Sequence, residues 1–248
     1  MRKYMRNILT VVLTAASLVS CNGMFDGIYD EAVNDEKQEN GFDGNSDETR
    51  YTLKLDARDY SKWYYVDLHK KSIESVDIPT TLTGDWDGKS QWTYYSVHGT
   101  NYTELDSRKV DTQPEPESWD FAIHHFDAKT NGGKVLETPY STIDELLAAG
   151  NAFDEDQFVA DEWLTNQCIT DFSGMMAYNI WYTSSMVNTV LTRWVTMDFT
   201  TPPPVYSASR KVYVLRMKDG TYAALRLIDY MSDRGTKGYL TIDVKYPL

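Results

Sequence analysis

Four histidines, nine methionines and two cysteines are the side chains of this 248-residue sequence with nitrogen or sulfur atoms suited to a transition metal. Two short stretches concentrate them. Residues 119–133 read WDFAIHHFDAKTNGG and place His124 beside His125. The first eight positions are rich in aromatic and β-branched types and the run ends in Asn131-Gly132-Gly133, as a strand entering a turn would. Alternate side chains of a strand share a face. Trp119, Phe121, Ile123 and His125 are therefore expected on one side, with Asp120, Ala122, His124 and Phe126 on the other. At most one of the two histidines can serve a given pocket. His124 is the candidate iron ligand, against a second reading in which it is hydrogen-bonded inside the sheet; His125 reads as a packed or surface residue.

Residues 172–182, FSGMMAYNIWY, form the second stretch. Gly174 permits a tight turn, and Met175 and Met176 follow it directly. Adjacent methionines at a loop tip are unusual, because methionine ordinarily fills gaps in a core; core packing is the competing reading. His98 closes the strand-like run 91–98 and is a weaker ligand candidate, whereas His69 reads as a surface residue at a strand end. No Gly-x-Ser-x-Gly elbow, His-Glu-x-x-His pair or phosphate-cradling glycine loop occurs, so the expectation is a protein that is not an enzyme.

The N-terminus fixes an expected compartment. Arg2, Lys3 and Arg6 precede an apolar run over 8–19, and Leu18-Val19-Ser20-Cys21 follows. A basic start, a short apolar core and small residues describe a secretory signal over 1–20, and a cysteine at the cleavage point makes it a lipoprotein signal. Cys21 would be acylated and would hold the chain on the bilayer, palmitate-type chains adding roughly 0.8 kcal/mol per buried methylene. With Cys21 lipidated, Cys168 has no partner, and no disulfide framework is possible. Cys168 reads as a small buried hydrophobe. Over 22–50 nine acidic residues face two basic ones with few large apolar side chains, so 21–50 is expected to be the lipidated cysteine followed by a solvated tether. Its acidity resembles the surface-export signal of some Gram-negative lipoproteins.

The remaining residues, 51–248, suit one domain with a real core. They hold 28 acidic and 19 basic residues, a balance that disfavours nucleic acid. Eighteen tyrosines and seven tryptophans in the whole chain favour strands. Strands are expected over 51–56, 62–69, 91–98, 211–217, 222–230 and 239–246, with Lys218-Asp219-Gly220 as a tight hairpin turn. Thr142 with Glu145 fits a capping box and Gly150 a stop, which places one short helix over 141–150. Hairpin-linked strands at the C-terminus argue for an all-β, antiparallel body.

WDFAIHHFDAKTNGG resembles the segment around the first haem-ligand histidine of the HmuY family of haem-capturing surface lipoproteins, in which the sixth residue of Trp-Asp-x-Ala-x-His is the ligand; that position is His124. The C-terminal meander is also similar in spacing, with its Asp219-Gly220 turn and the Gly238-Tyr239 to Tyr246 ending. The resemblance implies a hand-shaped fold of twisted antiparallel sheets over 51–248. It also implies haem (haem b) as cargo gripped by axial side chains, an outer-membrane, cell-surface location, and transfer to a TonB-dependent outer-membrane receptor. The family's second histidine has no counterpart here. Met175 or Met176 stands after the glycine instead, and some relatives are similar in using methionine. The alternative from another class is a surface lipoprotein that binds glycan or a partner protein through Trp86, Trp92, Trp181 and Trp194. A third is an accessory subunit of an uptake complex.

Overall fold

Strand-forming residues dominate the structure, a computed structural model that describes residues 40–44, 49–150, 152–198 and 205–248. The expected signal, Cys21 and most of the tether lie outside the described residues. In chain order the strands are β1 (Gly41–Asp43), β2 (Arg50–Asp56), β3 (Lys62–Asp67), β4 (Ser72–Asp77), β5 (Gln91–His98), β6 (Asn101–Lys109), β7 (Phe121–His124), β8 (Asp127–Thr130) and β9 (Lys134–Glu137). After helix α1 (Ile143–Ala149) come β10 (Val159–Ala160), β11 (Glu162–Asp171), β12 (Asn179–Val187), β13 (Val195–Asp198), β14 (Val205–Ala208), β15 (Val212–Arg216), β16 (Tyr222–Met231) and β17 (Lys237–Lys245). The fold is all-β and antiparallel, with one short helix among the described residues.

Three sheets are stacked around the hydrophobic residues. The largest has the order β1-β2-β17-β16-β15-β9-β10, the second β4-β3-β7-β8, the third β11-β12-β5-β6, and β13-β14 form a separate two-stranded ribbon. Alternation along β3 decides the layering. Tyr64 and Val66 join Leu53, Leu55, Phe121, Ile123, Leu225 and Ile242 in one buried cluster, facing the large sheet. Trp63 and Tyr65 join Trp92, Ala122, Cys168 and Val187 in another, facing the third sheet. The β3–β7 sheet is thus the middle layer and is covered on both faces. Every residue of β7 and β8 is buried, so these short strands carry no polar face toward water. That matters for the site, because β8 (Asp-Ala-Lys-Thr) brings Asp127 and Lys129 inside with it.

Several local expectations hold. Thr142 caps α1 by accepting from the Glu145 N–H, and Gly150 ends the helix. The Lys218-Asp219-Gly220 turn joins β15 to β16, which pair from Val212 with Arg226 to Arg216 with Tyr222. Others need correction. The solvated tether does not extend to residue 50, since Gly41–Asp43 pairs with 52–54 and enters the large sheet. Nor does the strand through His124 continue. His124 pairs with Asp127 across a two-residue turn made by His125 and Phe126, and His125 takes a left-handed backbone conformation there (φ 56). The turn returns Phe126 to the Phe121 and Ile123 side, opposite to the side that strict alternation assigns.

Candidate functional site

The β11–β12 connection is shaped by one glycine. A Cβ at Gly174 would lie 2.3 Å from the Asn179 carbonyl oxygen, a clash that only glycine avoids. Freed of it, the Gly174 carbonyl accepts from the Asn179 and Ala177 N–H groups at 3.0 and 2.9 Å, and Met175–Ala177 winds into one 3-10 turn. Tyr178 closes the turn in the left-handed region (φ 59). The outward result is plain. Met176 is 71% exposed and Tyr178 57% exposed, the two most exposed large apolar residues described.

The neighbouring strand adds an imidazole. Val97 donates its N–H to the Tyr178 carbonyl at 2.7 Å, locking the turn to the end of β5. His98, exposed, sets its ring 4.9 Å from that of Tyr178 at 36°, and its Nε2 lies 3.3 Å from Ser96 Oγ. Beneath this tip an apolar cluster of Tyr95, Ile169, Ile180 and Tyr182 is joined by the partly buried Tyr60, Val97, Phe172 and Met197. Met197 carried no sequence signal for a site, because its place here depends on the β13 ribbon meeting the third sheet.

His125 lies in the packed layers. Its Nδ1–H donates to the Ala57 carbonyl at 3.3 Å, and its Nε2 stands 2.5 Å from both the Tyr60 and the Tyr230 hydroxyls. Burial, with the neighbouring His124 second, pushes its pKa down to about 3, so the ring is neutral and its Nε2 accepts. Tyr60 and Tyr230, invisible as a pair in the sequence, are the residues that fix it. His124 has no exposed surface. Its Nε2–H donates to the Tyr60 carbonyl at 3.0 Å and its ring lies 5.3 Å from that of Trp63. The ring is thus enclosed within the packed layers. The structure therefore gathers Met175, Met176 and His98 at one end of the third sheet and keeps His124 and His125 inside.

Two further groups are accounted for. Lys129 Nζ is enclosed by the rings of Trp63, Tyr65 and Trp119 at 4.7, 4.9 and 5.4 Å and bonds Glu115 at 2.6 Å. Burial lowers its pKa, with Glu115 opposing. The expected tryptophan platform does not form: Trp194 is wholly buried under the large sheet, Trp92 lies between the second and third sheets, and Trp86 is 38% exposed. A groove of about 420 Å³ lined by Phe42, Tyr51, Lys71 and Ile73 offers no histidine, methionine or cysteine.

Residues 88–244 match the HmuY family model, described as HmuY protein. The chain belongs to the HmuY family. Among solved structures, a candidate lipoprotein of Bacteroides fragilis NCTC 9343 is 37% identical, with a TM-score of 0.68 over 87% of this chain and 99% of that one. A candidate HmuY-like heme binding protein of Bacteroides vulgatus ATCC 8482 is 36% identical, with a TM-score of 0.65 over 85% and 99%. An apo HmuY analog from Tannerella forsythia shares the fold at 22% identity, with a TM-score of 0.60 over 85% and 97%. No curated protein matches the chain. The family match includes the Met175–Ala177 turn, β5 from its first residue, and the whole middle sheet except β3 and β4.

Proposed function

We propose that this HmuY-family protein captures haem at the tip of the third sheet, as a lipid-anchored carrier outside the cell. The observation that carries the reading is the exposed thioether of Met176 beside Tyr178 and His98, presented on a HmuY-family fold. Thioether sulfur and neutral imidazole are both axial ligands of haem iron. An aromatic ring at the same edge supplies a surface on which a porphyrin can lie. The description of the Bacteroides vulgatus relative as heme binding supports the same cargo.

In this reading Met176 supplies the axial sulfur, Met175 stands beside it, and His98 supplies an imidazole from the adjacent strand. His124 and His125 hold the layers below. Methionine ligation favours ferrous over ferric iron more than histidine does, so the loaded protein would hold the reduced state comparatively well. The signal pattern expected over 1–20, followed by Cys21, supports anchorage to the outer membrane, and haem b would then pass to a TonB-dependent outer-membrane receptor. Haemin titration followed by the Soret band tests the binding. Met175→Ala/Met176→Ala should weaken binding at least about tenfold, roughly 1.4 kcal/mol, with the fold intact. Unchanged affinity in that variant would overturn the assignment.

A further inference from the structure

We propose that His124, Asp127 and Cys168 form a buried binding site for a zinc ion, separate from the haem site and independent of it. His124 Nδ1, Asp127 Oδ2 and Cys168 Sγ come from β7, β8 and β11, and one donor atom from each lies within 4.8 Å of the others. All three residues are buried, with His124 at 0%, Asp127 at 2% and Cys168 at 1% exposure.

The hydrogen bonds around the cluster set its chemistry. The Tyr60 carbonyl can only accept, so the His124 Nε2 that lies 3.0 Å from it carries the proton. In the neutral ring Nδ1 is then an acceptor lone pair. That atom is sealed from solvent and makes no hydrogen bond. It faces Asp127 Oδ2 across 3.7 Å, too far for a hydrogen bond. The His124 Nδ1 lone pair is thus a buried polar atom without a partner, and a cation held between it, the Asp127 carboxylate and the Cys168 sulfur would satisfy it.

The surroundings match those of a metal centre. A ligating histidine usually donates its other N–H to a carbonyl or carboxylate, and a ligating carboxylate is itself hydrogen-bonded. Here Tyr60 holds His124, and Gln167 Nε2 donates to Asp127 Oδ1 at 2.7 Å. Nitrogen, oxygen and sulfur donors at zinc bond lengths stand about 3.3 to 3.6 Å apart in a tetrahedron. The observed 3.7 Å pair is within a few tenths of that, and the thiol needs at most a modest approach. On binding, Cys168 gives up its thiol proton to solvent and the thiolate joins the ion, while His124 and Asp127 coordinate as neutral imidazole and carboxylate. A water or Asp127 Oδ1 completes the fourth position. Because the site is closed, the ion enters as the chain folds.

The test refolds the full chain with Zn²⁺, dialyses it against weak chelator, and measures bound zinc by mass spectrometry. A parallel sample is refolded with Co²⁺ to record thiolate-to-metal absorption. Wild type should retain about one ion per chain and show the thiolate band. Cys168→Ala, a small-for-small change in the core, should lose both while keeping its circular dichroism. Asp127→Asn should lose the ion with the thiol intact. His69→Ala, which alters a separate cluster of Asp67, His69 and Asp120, should retain it. A wild-type chain that folds and keeps no zinc, or one that loses its zinc in His69→Ala and not in Cys168→Ala, overturns the proposal. Haemin titration of Cys168→Ala should be unchanged, so failure here leaves the haem assignment standing.

Discussion

The imidazole of His98 lies 4.9 Å from the ring of Tyr178, tilted by 36°, and Tyr178 directly follows the turn that bears Met175 and Met176. This places nitrogen, aromatic and sulfur groups on one exposed edge. His98→Ala should therefore weaken haemin binding by about tenfold or more while thermal unfolding stays within ~0.5 kcal/mol of wild type, as for other exposed positions. Isothermal or Soret titration beside a melting curve measures both.

Gly174 is a conformational requirement of the same edge. Gly174→Ala must push Cβ against the Asn179 carbonyl, 2.3 Å away in the present backbone, and the turn has to open. We expect about 1–3 kcal/mol of destabilisation together with a loss of haemin affinity larger than that of Met175→Ala alone. Chemical denaturation and titration of one preparation check the pair. Wild-type stability would show that the turn relaxes freely.

Much of the fold was readable from residue order, and the reasons are physical. The Thr142 cap, the Lys218-Asp219-Gly220 turn and the strand 91–98 are local signals, and each appears where expected. β6 was not readable. Its residues, NYTELDSRK, are all exposed, and it is a strand only because all but Leu105, which sits at a bulge, pair across to β5. β8 was hidden for the opposite reason: Asp-Ala-Lys-Thr looks like a loop, yet lies in a layer covered on both faces. The candidate site divided in the same way. Gly174-Met175-Met176 announced an exposed turn, whereas the fate of His124 depended on a third sheet closing over the second, which no local pattern encodes.

Lys129 is a charge kept inside by Glu115 and three rings. Removing only the carboxylate should cost more than removing the charge itself. Glu115→Ala is expected to destabilise by about 1–3 kcal/mol, while Lys129→Met, similar in volume, should fall within about 1.5 kcal/mol of wild type. Urea unfolding of both variants decides it; the reverse order would mean that the ion pair is not what holds this layer.

His69 joins the middle sheet to the β15–β16 turn. Its Nδ1 lies 3.2 Å from Asp120 and its Nε2 3.1 Å from Asp219. Burial pulls its pKa down, but the two carboxylates outweigh it and raise it above the usual 6.5. A raised folded-state pKa stabilises most below the unfolded value, and the gain fades as pH climbs through the folded one. The ring is 43% exposed, so the contribution is small. NMR titration should find His69 titrating above 6.5, and Asp219→Asn should bring it down. A His69 pKa at or below 6.5 in the wild type would contradict the bridging geometry.

The central claim is that iron meets sulfur from the turn after Gly174. X-ray absorption at the iron edge of the haem-loaded chain, in the ferrous state, tests it most directly. A sulfur scatterer in the first coordination shell, absent from Met175→Ala/Met176→Ala and present in His124→Ala, is the predicted result. A shell of nitrogen and oxygen alone in the wild type, or sulfur that persists in the double variant, would contradict it.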